Sequence, residues 1–160
     1  MDYRRVVWTA FFLGALCMAG SFFAQYVLLL NPCPLCILQR LAVMAVMLVS
    51  GVCLLLPLVR RGAQRSAAVL ISIPALWGAW VAAYQLWLQS LPDMERPSCG
   101  APWTFRLRDW PLFDVWEPVV RGMGDCASRT AVLGVPLPVW TLLFAAAVLA
   151  VVWGGLLRRR

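Results

Sequence analysis

Histidine is absent from this 160-residue chain, and the acidic residues number only seven. Without histidine, a haem, copper or proton-relay site built on imidazole is excluded. Charge of either sign is scarce: 13% of residues are charged, against about 25% in an ordinary soluble domain. With 62% hydrophobic residues and a mean hydropathy of +0.79, a soluble globule, a disordered chain and a fibrous protein are all excluded. No G-x-G-x-x-G occurs, so no dinucleotide fold is signalled. Internal repeats and low-complexity linkers are also missing.

The apolar stretches that remain are long. No charged residue falls within residues 6–39, 41–59, 66–92 or 130–157. Each reaches the roughly 18–20 residues that a helix needs to cross a hydrocarbon core. The sequence therefore predicts an all-α membrane protein, a four-transmembrane-helix bundle forming one domain over residues 1–160. The expected spans are about 6–30, 36–59, 67–88 and 135–157. The Arg-rich start resembles a leader, but the apolar run outlasts the usual 7–15-residue signal core, so it is expected to stay as a span.

All 14 basic residues are arginine. Arg4, Arg5, Arg60, Arg61, Arg65, Arg158, Arg159 and Arg160 cluster at the start, after the second span and at the end, while the segment 89–135 is slightly acidic. The positive-inside rule then places both termini and the 60–65 connection in the cytoplasm, and the 31–36 turn and the loop of about 89–134 outside. Four spans satisfy that parity. No basic residue falls in an aromatic groove pattern, so nucleic acid is not an expected partner despite the net charge of +7. In the outside loop, Leu112, Val115, Trp116 and Val119 recur at helical spacing, which suits a short helix lying in the membrane surface. Pro118 opposes a helix, and an irregular loop with its tryptophans on the headgroups is the alternative.

Six cysteines carry the chemistry. Cys17 and Cys53 lie within spans and read as small packing residues. Cys33 and Cys36 form a C-x-x-C that opens a helix, where free N–H groups and the helix dipole favour thiolate. Arg40 follows Cys36 by four residues, on the same helical face, and is the only charge between Arg5 and Arg60. It reads either as a snorkelling anchor or as a functional cation. Cys99 and Cys126 lie in the outside loop, either as a structural staple or as a second exchanging pair. Zinc fits poorly, because structural zinc takes two close-spaced knuckles, so no metal is expected. Ile37 stands where c-type haem attachment requires histidine. With those carriers excluded and the C-x-x-C at membrane depth, the simplest electron acceptor is a lipid-soluble quinone. Arg40 would then stabilise the Cys36 thiolate and charge building on a quinone oxygen.

These residues resemble the disulfide-bond-formation protein B (DsbB) family of quinone-dependent thiol oxidases of bacterial inner membranes. The run from Pro32 to Arg40 matches, with Cys33, Cys36, Gln39 and Arg40 in register. So do Gly124, Asp125, Cys126 and Ala127 with Arg129 behind them, and Leu133 and Gly134 followed by Pro138 and Trp140. The resemblance covers nearly the whole chain and implies resting disulfides Cys33–Cys36 and Cys99–Cys126. It implies a DsbA-like periplasmic dithiol oxidase as partner and ubiquinone or menaquinone as acceptor, bound beside Arg40 and Cys36. Its pattern has the partner attack at Cys99, Cys126 exchange with Cys33, and Cys36 face the quinone. Some relatives carry an acid in the first span and a histidine near the outer end of the third, where this chain has Met18 and Leu86 nearby. The resemblance therefore leaves the proton route open. Two other readings compete: a reductase of the vitamin K epoxide type, with its C-x-x-C placed differently in the bundle, and a non-enzymatic tetraspan scaffold. Nothing in the sequence demands more than a monomer.

Overall fold

A computed structural model describes residues 2–92, 100–126, 128 and 131–158. Four long helices, α1 (Tyr3–Tyr26), α2 (Pro34–Cys53), α3 (Arg61–Ser90) and, after the outside loop, α6 (Leu137–Leu157), are each long and apolar enough to cross a membrane. Two short helices, α4 (Trp103–Arg106) and α5 (Phe113–Val120), and a hairpin of β1 (Ala131–Val132) with β2 (Val135–Pro136) fill the loop. Helix α2 packs between α1 and α3, and α6 closes the ring by packing against both of them. The protein is a multi-pass four-helix membrane bundle.

The half of the bundle away from the long loop is held by small and β-branched side chains. Val7, Ala10, Val46, Ala67, Ala68, Ile71, Val148 and Val152 bury completely around Tyr3 and Cys53. Tyr3 donates its hydroxyl to the Val152 carbonyl at 3.4 Å, and Trp153 Nε1 donates to Ser72 Oγ at 3.0 Å. Both bonds tie α6 to its neighbours where lipid offers no partner for a polar group. Phe12, Leu16, Leu48, Ile73, Trp80 and Leu143 point outward, as they must when the surrounding solvent is hydrocarbon.

Helix ends differ from the apolar runs for local reasons. The second run is expected to span residues 36–59, but α2 stops at Cys53 and the chain turns through residues 54–60. Pro57 lacks an N–H and disfavours helical geometry in the residue before it. The third run is expected to begin near residue 67, yet α3 starts at Arg61 and continues past Pro74 for 30 residues, about 45 Å. Its first turns carry Arg61, Gln64 and Arg65, which apolarity cannot flag as helical. Before α6, Leu133 and Gly134 both adopt positive φ, 54° and 78°. Two such residues in succession make the tight turn that a two-residue hairpin requires, so the last helix starts at Leu137 rather than 135.

The long loop resolves in favour of a helix at residues 113–120. Leu112, Val115 and Trp116 are exposed on one side, while Val120 is buried against the bundle. Pro118 is accommodated because the element is only two turns long and its final carbonyls are taken by side chains from the bundle.

Candidate active site at the outer end of the bundle

Cys33 is the N-cap residue of α2, in extended conformation (φ −83°, ψ 166°), and its sulfur accepts from the Cys36 amide at 3.2 Å. Pro34 occupies the first turn, where its missing N–H costs nothing. The result is a sharp entry that sets the two sulfurs of the C-x-x-C 2.7 Å apart, both as thiols here. Cys33, just outside the span, has its thiol pushed up by the hydrogen bond it shares with Cys36 and by burial.

Arg40 lies one turn deeper on the same face and is only 5% exposed. Its Nε donates to Ser21 Oγ at 2.9 Å, and one terminal nitrogen donates to Gln25 Oε1 at 2.7 Å and to the Val119 carbonyl at 3.0 Å. Its guanidinium carbon sits 4.9 Å from the Phe22 ring centroid, a cation–π contact. These partners are all neutral, so the charge is held in place without being cancelled. The last carbonyls of α5 do part of this work. Besides Val119 on Arg40, the Pro118 carbonyl accepts from the Tyr26 hydroxyl at 3.1 Å, and the Arg121 carbonyl accepts from Gln25 Nε2 at 3.2 Å. The negative end of a helix dipole thus faces a buried cation.

The loop beyond α5 is seated on the turn before α2. Gly124 N–H donates to the Pro32 carbonyl at 3.2 Å. A Cβ on Gly122 would collide with the Pro32 carbonyl, and one on Gly124 with the Asn31 carbonyl. Only glycine permits so close a backbone approach. Cys126, two residues on, is fully buried and disulfide-bonded. Its expected partner Cys99 lies outside the described residues, as do Ala127 and Arg129. Gln89 Nε2 donates to the carbonyls of Cys126 (3.4 Å) and Ser128 (3.2 Å), fixing the Cys126 segment over the outer end of α3. Replacing Gly124 with alanine is expected to lift this segment and lower stability by about 1–3 kcal/mol. Thermal unfolding in detergent measures it, and an unchanged midpoint would contradict the close seating.

A cavity of about 330 Å³ opens beside Cys36 and Arg40. Its walls are mainly apolar, with Met18, Ala24, Val43, Leu133 and Trp140 among them, and Arg40 is the one charged residue in the lining among the described residues. Cys17 also faces this cavity, whereas Cys53 lies in the hydrophobic core at the far end of the bundle. The structure therefore gathers Cys33, Cys36 and Arg40 at one site, with the Cys126 segment seated against the same turn. Sequence reasoning missed Ser21, Gln25, Gln85, Gln89 and Thr141. Their signal was available: each is an uncharged polar residue near the outer end of an apolar span, where a polar group has to find a partner.

The sequence model described as "Disulfide bond formation protein DsbB" matches residues 3–154. The chain is 54% identical over 151 residues to Disulfide bond formation protein B of Neisseria meningitidis serogroup B, covering 94% of this chain and 93% of that protein. The Neisseria gonorrhoeae protein of the same name is 55% identical over the same shares. That of Chromobacterium violaceum is 42% identical, covering 89% of this chain and 87% of its own.

Proposed function

Because the chain belongs to the DsbB family of disulfide bond formation proteins, we propose that it moves two electrons from a periplasmic DsbA-like dithiol oxidase to a membrane quinone. The observation that carries this reading is the shared cavity. Cys36 and the buried cation Arg40 line one apolar chamber within the bundle, which suits an uncharged ring that gains negative charge when reduced. The proposed setting is the bacterial inner membrane, with both termini cytoplasmic and the cysteine pairs outside, where the periplasm is kept oxidising.

Each step is a thiol–disulfide exchange by a thiolate on a disulfide sulfur. A partner thiolate attacks Cys99, breaking its bond to Cys126 and leaving the electron pair on Cys126. The partner's second thiolate then resolves the mixed disulfide and departs oxidised. Cys126 attacks Cys33 of a closed Cys33–Cys36 pair, and Cys36 leaves as thiolate; the Cys99 thiolate then attacks Cys126, restoring the Cys99–Cys126 bond and releasing Cys33 as the second thiolate. A quinone held in the chamber would supply the two-electron, two-proton sink against which Cys33 and Cys36 close their bond again. Around it, Arg40 holds positive charge at the chamber wall, Ser21 and Gln25 hold Arg40, and Met18, Val43 and Trp140 exclude water. In net terms, one partner dithiol becomes a disulfide and one quinone becomes a quinol. The Cys33–Cys36 and Cys99–Cys126 pairs both end as they began.

Anaerobic oxidation of a reduced DsbA-like protein by the purified chain tests this. Loss of partner thiols beyond the oxidising equivalents already in the chain is expected only when a short-chain ubiquinone analogue is added. Sustained thiol loss at the same rate without it would overturn the reading.

A further inference from the structure

Three uncharged polar side chains from three different spans make one hydrogen-bonded line that ends at the sulfurs. The Thr141 hydroxyl, in the second turn of α6, donates to Gln39 Oε1 at 2.7 Å. Gln39 Nε2, on α2, donates to Gln85 Oε1, on α3, at 2.6 Å. Gln85 Nε2 then lies 3.3 Å from Cys33 Sγ and 3.4 Å from Cys36 Sγ and donates to both. Gln39 and Gln85 are 4% and 2% exposed, so neither amide can fall back on water.

The direction of this line matters chemically. An amide has a donating end and an accepting end, and turned the other way Gln85 would present its carbonyl to a sulfur that gains negative charge. Gln85 Oε1 also lies 3.7 Å from Cys36 Sγ, but that oxygen is already taken by the Gln39 nitrogen at 2.6 Å, and the NH₂ group is the end nearer to both sulfurs. Arg40 sits near Cys36, yet its described hydrogen bonds go to Ser21, Gln25 and Val119. Its effect on the sulfur is that of a nearby field. Gln85 is the side chain whose N–H groups reach the sulfurs directly, and it does so beside Gln89, away from the Arg40 chamber.

We propose that Gln85 is a catalytic hydrogen-bond donor to the thiolate released on Cys36, and that Gln39 and Thr141 are positioning residues that keep its N–H turned to sulfur. This rests on the exchange chemistry above and adds to it the group that stabilises the leaving sulfur. When an incoming thiolate attacks Cys33 Sγ, a new S–S bond forms there and the Cys33–Cys36 bond breaks. The electron pair of the broken bond stays on Cys36 Sγ. No proton moves in that step, so the charge must be met by donors already in place, and hydrogen bonds to charged groups are the strong ones.

The test needs neither partner nor quinone, so its failure is separable from failure of the oxidase reading. Fully reduced protein in detergent is treated with iodoacetamide, and the rate of Cys36 modification is read by peptide mass across pH. Gln85→Leu is expected to slow modification near neutral pH about tenfold or more, and Thr141→Val, which leaves the sulfurs' own contact intact, about threefold. Near pH 10, where the thiol ionises in every variant, the rates should converge. Wild-type rates in Gln85→Leu at all pH values would overturn the proposal. So would a deficit that persists near pH 10, which reports access rather than ionisation. Thr141→Val matching wild type throughout would overturn the positioning line, and this variant keeps the test decisive if Gln85→Leu does not fold.

Discussion

Replacing Cys36 with serine is expected to stop quinone reduction, lowering turnover at least about a thousandfold, while leaving one round of partner oxidation intact. A serine oxygen has the reach of the sulfur but cannot form or leave a disulfide, so Cys33 loses its bonding neighbour. The Cys126 disulfide does not depend on Cys36 and is seated by Gly124 and Gln89. The variant should therefore oxidise about one equivalent of reduced partner and then halt, as counted by partner thiols under anaerobic conditions. A tetraspan scaffold would lose nothing from the same change. Sustained turnover in Cys36→Ser would remove the C-x-x-C from the electron route.

Arg40→Met is the second large effect. The side chain keeps its approximate length and loses the charge, and the chamber then has no charged residue in its lining. Electrostatic stabilisation by a fixed group in a dry site commonly carries about 10²–10³ in rate, and that loss is expected in kcat with saturating quinone. Partner attack at the loop pair should be little changed, because the described hydrogen bonds of Arg40 go to Ser21, Gln25 and Val119 and not to Cys126. Arg40→Lys is expected to recover only part of the rate. An ammonium is a compact point donor and cannot bridge Ser21, Gln25 and the Val119 carbonyl as the guanidinium does. Steady-state rates against quinone concentration distinguish these outcomes. An Arg40→Met enzyme within twofold of wild type would contradict a catalytic cation.

The residues that carry charge or sulfur were the legible ones. Arg40 stands out because an isolated cation in an apolar run has few inexpensive placements, and the C-x-x-C stands out because Pro34 and the following apolar run announce a helix start. Four spans were legible for the same reason, through length and apolarity. Their ends were less so: Pro57 cuts α2 short, and the polar first turns of α3 are helical without being hydrophobic. What the sequence could not show was partnership. Thr141, Gln39 and Gln85 lie on three helices and meet only after the bundle closes. Gly122 and Gly124 read as ordinary loop residues until the backbone of residues 31–33 is seen against them. The helix at residues 113–120 hinged on Pro118, and what decides it is tertiary, since Tyr26, Arg40 and Gln25 donate hydrogen bonds to the carbonyls at its C-terminal end.

The central claim is that electrons from a protein dithiol leave through Cys36 into a quinone held beside Arg40. The most direct measurement is one anaerobic turnover with reduced partner and quinone at stoichiometric amounts, counting quinone absorbance, partner thiols and the chain's own thiols in the same sample. The account predicts one quinone lost for each partner disulfide formed, with no net change in the chain's thiols. Partner oxidised while quinone persists, with new thiols accumulating on Cys99 and Cys126, would contradict it.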